Sequence, residues 1–201
     1  MELDQAINDR RSNRKFKADP LTDEQIDQIL DAARQAPSAS NVQPWRFIVV
    51  KSAEMREKLS VVSKYKFVFK APVVFVCCAD MNALETRDRR ITELVEAKVF
   101  NDVEIVEDVE QPKTGHIIGT AGINGYMSLN VAIAVEHMAL KAVDLGLGSC
   151  WVGGFDAKKT KEILDLPDNL YQVMLLPVGY PVNKPSARPR LSMDELVVKT
   201  V

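Results

Sequence analysis

The chain has 201 residues, enough for one domain with a substantial hydrophobic core, and we expect a single domain over residues 1–201. Its 26 lysines and arginines nearly balance 28 aspartates and glutamates, and the net charge of −2 argues against a nucleic-acid partner. Its three cysteines fit neither a metal site nor a disulfide framework, so we expect a reducing, cytoplasmic location and no metal.

A basic run follows the first predicted helix, residues 2–9, which is too charged for a signal peptide. The run RRSNRK, residues 10–15, places four cations in six positions. In an extended segment, the side chains of Arg10, Ser12 and Arg14 point to the same side. Two guanidinium groups beside a hydroxyl suit a phosphate group, although such runs more often form a solvated surface.

The second predicted helix leads into a polar loop. Thr22 caps this helix and Gln25 completes a capping box, and an apolar stripe then runs to Pro37, which ends the helix. Residues 34–50, RQAPSASNVQPWRFIVV, therefore contain a helix end, a loop rich in hydroxyl and amide side chains, and a strand from residue 46. Composition alone indicates an ordinary loop held between rigid elements, and a binding site is favoured only in combination with the other motifs of the chain.

One central strand is clear in the middle of the chain. A helix is expected near residues 53–62, and the polar stretch KYK, residues 64–66, follows it. The run PVVFVCCA, residues 72–79, is short, apolar and rich in β-branched side chains. Such a run is typical of a strand buried on both faces.

Residues 80–120 are the least regular part of the sequence. They contain an amphipathic helix predicted near residues 87–100, followed by the acidic segment NDVEIVEDVEQPKTG, residues 101–115. The whole excursion is consistent with a lid or with an exposed helix and loop. His116, at its end, is expected at the surface.

A long helix is predicted from residue 118 to residue 145, and it is apolar on most of its circumference. Such a helix belongs in a protein core or a dimer interface. Charged residues interrupt it, so we expect no membrane segment. His137 is expected to be a satisfied structural group, and Gly146 supplies the left-handed residue that ends the helix.

The remaining segments complete an alternation of strands and helices, which is typical of α/β or α+β folds. A short strand at residues 148–155, GSCWVGGF, ends in two glycines that permit close approach of a ligand. It matches no dinucleotide-binding glycine motif, and the sequence has no Walker A motif. A helix to residue 164 and a strand at 171–179 follow, and residues 184–201 are expected to form a C-terminal arm.

The basic run, the amide-rich loop and the glycine pair suit a ligand with a phosphate, a polar edge and a flat apolar body, as in FMN. Four segments resemble the nitroreductase family in the same order: RRSNRKF, APSASNVQPWRFIVV, GLGSCWVGGF and PRLSMDELV. The resemblance implies an α+β fold with a central mixed sheet flanked by helices and a long core helix. It further implies an intertwined homodimer with FMN at each subunit interface.

The resemblance also implies three groups of FMN-binding residues. Phosphate and ribityl contacts are implied for Arg10, Arg11, Ser12, Arg14, Arg188 and Arg190. A loop contributed by the other subunit is implied for Pro37, Ser38 and Asn41, with support from Gln43. The flavin ring would be lined by Trp151, Gly153 and Gly154. Lys64 or Lys66 could supply a cation at the pyrimidine edge.

The activity implied by the resemblance is a two-electron ping-pong reaction. NAD(P)H reduces the flavin and leaves, and a flat electrophile such as a nitroaromatic or a quinone takes its place. This scheme needs no side-chain acid or base, so we name no catalytic residue. The alternatives are a dehalogenating or flavin-fragmenting relative, a flavin-binding protein without turnover, and a phosphate-sugar or nucleotide binder without flavin. The preference between NADH and NADPH is left open.

Overall fold

The computed structural model describes residues 1–99 and 116–201, with residues 116–121 as backbone only. The predicted acidic segment and the side chain of His116 lie outside the described residues. The helices are α1 (Leu3–Asp9), α2 (Asp23–Arg34), α3 (Ala53–Lys58), α4 (Phe67–Lys70), α5 (Arg87–Glu96), α6 (His116–Asp144), α7 (Ala157–Leu164) and α8 (Met193–Leu196). The strands are β1 (Trp45–Val50), β2 (Val73–Asp80), β3 (Gly148–Ser149) and β4 (Leu170–Gly179).

The four strands form one sheet in the order β1-β2-β4-β3, and neighbouring strands are antiparallel. β2 lies in the interior of the sheet, and seven of its eight residues are buried, which confirms the prediction from its apolar run. An isolated parallel bridge joins Ser12 to Ser149 beside β3, but the four named strands pair only in antiparallel fashion, where a mixed sheet was expected. The α+β class expected from the sequence is confirmed.

α6 is the central helix of the fold and packs against α2, β2 and β4. Its buried side chains recur every three or four residues: Met127, Val131, Ala134, Val135, Met138, Ala139 and Ala142. His137 donates from Nδ1 to the carbonyl oxygen of Ala32 at 3.2 Å, as expected for a structural group. Gly146 has a φ of 72° and follows the helix end, which confirms its predicted role.

Local sequence signals account for several helix boundaries. Thr22 and Gln25 form the predicted capping box of α2. The helix expected at residues 53–62 divides into α3 and a 3₁₀ segment, Leu59–Val62. The strand expected at 148–155 is shorter because only Gly148–Ser149 pairs continuously with β4, and Val152 then forms an isolated bridge to Leu175.

The basic run and the segment after β4 are fixed side by side at the edge of the sheet. Asn13 donates its backbone N–H to the Ser149 carbonyl at 2.8 Å, and Lys17 donates to the Tyr180 carbonyl at 2.9 Å. Val182 donates back to the Lys15 carbonyl at 3.1 Å. These bonds place the two chain ends next to each other. In the part of the chain that the structure describes, no helix has the length and apolar content needed to cross a bilayer.

Candidate functional site

Five arginines from opposite ends of the sequence meet at one surface. We call Arg10, Arg11, Arg14, Arg188 and Arg190 the arginine cluster. Together with Ser12, Pro185 and Ser186 they line a cavity of about 110 Å³. The sequence predicted that Arg10, Ser12 and Arg14 point to the same side, and all three line this cavity. Arg11 lines it as well, because its guanidinium turns back and donates to the Arg10 carbonyl at 2.8 Å.

The arginine cluster carries more positive charge than its protein neighbours neutralise. Glu136 is the one carboxylate paired with it among the described residues, at 3.4 Å from Arg10 Nε. Arg14 donates weakly to the Ser12 carbonyl at 3.4 Å, and Arg11 Nε is buried without a partner in the described chain. Guanidinium groups with free donors favour a phosphate or carboxylate ligand. The chemistry of this cavity therefore fits a phosphorylated molecule.

Glu136 lies on α6 and pairs with Arg10 of the arginine cluster. With Arg10, Arg11, Arg188 and Arg190 it lines a second cavity, of about 360 Å³. Partial burial raises the pKa of the Glu136 carboxyl, and the nearby Arg10 opposes that increase. The carboxylate offsets part of the positive charge of the cluster and gives Arg10 a fixed partner.

A second part of the site is a wider cavity of about 240 Å³ beside Trp151. Its lining residues are Arg14, Tyr65, Phe67, Cys150, Trp151, Val152, Gly153 and Gly154. Arg14 lines both this cavity and the smaller arginine-lined one, so the two are neighbours. We call this wider space the glycine cavity. Its aromatic and glycine walls suit a flat molecule, while Arg14 supplies a positive charge at one side.

Gly153 is not required by packing within the chain. A Cβ atom added there would meet no heavy atom within 4 Å, and its backbone does not require glycine. At Gly154, by contrast, an added Cβ would lie 3.2 Å from the Tyr65 ring. The space in front of Gly153 belongs to the glycine cavity, so the absence of a side chain there keeps the cavity open.

Cys150 forms an apolar wall of the glycine cavity. Burial raises the pKa of its thiol, although the positive charges of Arg14 and Arg188 act in the opposite direction. The thiol is therefore neutral near pH 7. A neutral buried thiol is a poor nucleophile, so its role at this position is packing.

The polar loop predicted as part of the site, Pro37–Gln43, is strongly ordered by its own hydrogen bonds. We call it the amide loop. The backbone N–H of Gln43 donates to Ser38 Oγ at 2.9 Å, and Gln43 Nε2 donates to Asn41 Oδ1 at 3.0 Å. Ser40, Asn41 and Gln43 all have positive φ, between 48° and 52°. Left-handed backbone at three non-glycine residues is costly and is typical of functional loops.

The amide loop and the arginine cluster are attached to different faces of α6. Asn130 Oδ1 accepts from the backbone N–H of Ala39 at 2.9 Å, whereas Glu136 pairs with Arg10. Six residues separate these anchors, which corresponds to about 9 Å along the helix and about 120° around it by the shorter arc. The amide loop contributes no residue to the three cavities described above.

Some residues at these cavities were not identified from the sequence. Tyr65 and Phe67 line the glycine cavity, whereas the sequence analysis named only Lys64 and Lys66 from this stretch as candidates. Lys64 does not line that cavity, and its Nζ lies 5.4 Å from the centre of the Tyr65 ring. Glu136 was also missed because a single acid on an apolar helix indicates only a solvent-facing position. For Tyr65 and Phe67, the aromatic residues in and directly after KYK were the sequence signal that could have identified them.

Comparison with known proteins gives a consistent result over the whole chain. The sequence model of the nitroreductase family matches residues 7–180. A Methanothermobacter thermautotrophicus protein assigned as an NADH dehydrogenase/NAD(P)H nitroreductase is 30% identical over 98% of this chain and 86% of its own length. An FMN reductase (NADPH) from Bacillus subtilis is 31% identical over 93% of this chain and 69% of its own length.

A solved structure has the same fold. It is that of an Exiguobacterium sibiricum protein, assigned to the nitroreductases, in complex with FMN. The two chains superimpose with a TM-score of 0.80 at 22% identity, covering 98% of this chain and 96% of the other.

Proposed function

The chain belongs to the nitroreductase family, and on that basis we propose that it is an FMN-dependent NAD(P)H oxidoreductase that reduces flat electrophiles such as nitroaromatics and quinones. The observation that carries this proposal is the adjacency of the arginine cluster and the glycine cavity, which share Arg14. One end binds an anion and the other accepts a flat body. The relatives named as FMN reductase and NAD(P)H nitroreductase support the same activity.

The residues present fit FMN. Buried Arg11 Nε has no partner in the described chain, and the arginine cluster offers further donors for a phosphate. Ser12 adds a hydroxyl at the same cavity. Trp151, Gly153 and Gly154 would then line the ring. FMN, when bound, supplies the redox chemistry by accepting a hydride from NAD(P)H and passing two electrons to the acceptor.

The protein's own contribution is position and charge. Gly153 leaves the space that a flat ring needs, and Trp151 and Phe67 would cover the edges of a ring bound there. Arg14 places a permanent positive charge beside the same space, which stabilises negative charge that develops there. Lys66 lies next to Phe67 and would add a second cation. No side chain is required to move a proton, and we assign none as acid or base.

We further propose that the active form is a homodimer in which the amide loop of one subunit completes the site of the other. Several large apolar side chains are exposed in the single chain. They lie on α1 (Leu3 and Ile7), on α6 (Ile123 and Leu129) and in the C-terminal arm (Leu191, Met193, Leu196 and Val198). Apolar surface of this extent favours association with a second copy. The arm, residues 184–201, would reach across that copy, and the three free buried cysteines suit a reducing cytoplasm.

The test is a visible spectrum of the purified protein, followed by anaerobic addition of NADH or NADPH. We expect a yellow protein whose absorbance is bleached by a pyridine nucleotide and restored by a quinone or a nitroaromatic. Steady-state oxidation of the nucleotide should then depend on the acceptor. A colourless protein that does not take up FMN, or a yellow one that neither nucleotide bleaches, would contradict the proposal.

A further inference from the structure

A fourth cavity adjoins the glycine cavity, and its residues Lys15, Phe16, Lys70 and Val182 have no role in the function proposed above. Its volume is about 350 Å³, and its charged lining consists of Arg14, Lys15, Lys66 and Lys70. We call it the lysine cavity. It shares Arg14 and Phe67 with the glycine cavity, so a ligand that extends beyond the flavin ring can reach it. Acidic side chains are absent from this lining.

Within the described part of the chain, the four cations of the lysine cavity lack acidic partners. None of them forms an ion pair with another residue in the described ranges, 1–99 and 116–201. Lys66 and Lys70 stand four residues apart at the two ends of α4, where like charges repel each other and weaken a helix. The four side chains are exposed, so solvent screens part of this repulsion, and a bound anion would remove the rest.

The position of Lys15 is fixed by the backbone. Phe16 forms an antiparallel bridge with Pro181, and Val182 donates to the Lys15 carbonyl at 3.1 Å. Lys70 is held at the other side, because Arg56 donates to the Phe69 and Ala71 carbonyls that flank it. Phe16 and Val182 also line the cavity and give it an apolar wall. The backbone that carries Lys15 and Lys70 is therefore fixed on the two sides of this concavity, while their side chains are exposed to solvent.

FMN carries one phosphate, for which the arginine cluster is sufficient. A second group of free cations on the other side of Arg14 therefore indicates a second phosphorylated ligand. In the proposed function, which this inference rests on, the only other phosphorylated reactant is the pyridine nucleotide. NADPH differs from NADH by a 2′-phosphate on the adenosine ribose. We infer that the lysine cavity binds this 2′-phosphate through Lys15 and Lys70, with adenine against Phe16 and Val182, and that the protein uses NADPH.

The kinetic test compares kcat/KM for NADPH with kcat/KM for NADH in the FMN-loaded protein. We expect the wild type to favour NADPH by about tenfold or more, the order of one or two charge-assisted hydrogen bonds. In the double variant Lys15→Gln/Lys70→Gln this ratio should fall by about tenfold or more. Lys17→Gln is the matched control: it removes a neighbouring exposed lysine that does not line the cavity, and the ratio should be unchanged.

A binding test removes the dependence on turnover. Calorimetric titration of the FMN-loaded protein with 2′,5′-ADP and with 5′-AMP compares ligands that differ by the 2′-phosphate. We expect 2′,5′-ADP to bind about tenfold more tightly than 5′-AMP, and this difference should disappear in Lys15→Gln/Lys70→Gln. Inorganic phosphate should compete with 2′,5′-ADP.

The outcomes separate this inference from the proposed function. If neither nucleotide bleaches the flavin, the proposed function fails first. If both nucleotides bleach it but the ratio is the same in the wild type and the double variant, the lysine cavity does not read the 2′-phosphate. An equal loss of activity with both nucleotides would mean that the lysines contact the pyrophosphate that NADH and NADPH share. That result would overturn the inference. Loss of bound FMN from the double variant would assign the cavity to the cofactor and would also overturn it.

Discussion

The arginine cluster and the amide loop are both polar parts of the proposed FMN site, and they are built in opposite ways. The amide loop satisfies its own groups: Ser38 accepts from the Gln43 backbone, Asn41 from the Gln43 side chain, and Asn130 holds Ala39. Among the residues that the structure describes, the arginine cluster has one carboxylate partner, Glu136, and most of its guanidinium donors form no hydrogen bond. The loop is therefore ordered before any ligand binds, whereas the cluster needs an anion to complete it.

The two regions also differ in where they lie on the subunit. They are attached to α6 at Asn130 and at Glu136, on faces about 120° apart around the helix. The amide loop lines none of the cavities at the arginine cluster or the glycine cavity. This separation is the physical reason for proposing that two copies form each site. Variants in the arginine cluster, the amide loop and the glycine cavity should separate the roles of these regions, and the cluster should show the largest effect.

Removing charge from the arginine cluster should cause the largest loss. Arg188→Gln/Arg190→Gln deletes two cations from the cavity that would hold the phosphate, and we expect FMN affinity to fall by about 100-fold, tenfold for each charge-assisted contact. Fluorescence titration of the apoprotein with FMN measures this. Arg89→Gln, on the exposed face of α5, is the control and should bind FMN like the wild type. Equal affinity in the double variant would remove these arginines from the site.

Mixing defects from the two regions tests whether each site needs two subunits. One partner carries Arg188→Gln/Arg190→Gln and the other carries Ser38→Ala/Asn41→Gly, where glycine tolerates the positive φ of Asn41. Both homodimers should bind FMN poorly. A heterodimer purified with two affinity tags has one intact site of two, so it should recover about half of the wild-type FMN content.

The same mixture has a clear contrary outcome. If the arginines and the amide loop of one chain served the same site, each heterodimer would have two defective sites. FMN content would then stay at the level of the homodimers. The proposal that the amide loop of one subunit completes the site at the arginine cluster of the other would be wrong.

The sequence predicted the elements whose signals are local. The apolar run of β2, the capping box at Thr22 and the left-handed Gly146 each depend on neighbours within a few residues, and all three are present. The side chains of Ser38 and Gln43 could be identified as polar, but not their hydrogen bond, which depends on an unusual backbone. The family resemblance, not the residue pattern, supplied the pairing of the two chain ends.

Long-range placement was the part that the sequence could not supply. Tyr65 and Phe67 reach the glycine cavity because α4 packs beside the sheet, and Lys15 and Lys70 meet because residues 15–17 pair with the segment after β4. No local sequence pattern predicts the pairing of residues 15–17 with the segment after β4. Glu136 illustrates the same limit, since its role depends on Arg10 lying opposite it.

Gly153→Ala should have a moderate effect on FMN affinity and almost none on the free energy of unfolding. Its Cβ would enter open space in the glycine cavity, so the free energy of unfolding should change by less than about 0.5 kcal/mol. FMN affinity should nevertheless fall by about tenfold, because the added methyl group occupies space that the ring needs. Urea denaturation of the apoprotein and FMN titration measure the two effects.

Gly148→Ala is the matched substitution in the interior. There an added Cβ would lie 2.6 Å from Asn13 side-chain atoms, and Asn13 is buried, so we expect a loss of about 1–3 kcal/mol in the free energy of unfolding. If Gly153→Ala destabilised the apoprotein as much as Gly148→Ala, Gly153 would be a packing residue and would not mark a ligand space.

Glu136→Gln gives the smallest effect and tests the carboxylate that pairs with Arg10 of the arginine cluster. Because burial raises the pKa of the Glu136 carboxyl, the folded state holds its proton more tightly than the unfolded state does. Its favourable contribution is therefore full below the ordinary value of 4.5 and is lost as the pH rises through the higher pKa of the folded state. Urea denaturation of the apoproteins between pH 4 and pH 7 should show the wild type losing about 0.5 kcal/mol or less relative to Glu136→Gln, since the side chain is partly solvated. A relative gain by the wild type over that range would mean that the attraction to Arg10 outweighs burial, and that this arginine is already neutralised before an anion arrives.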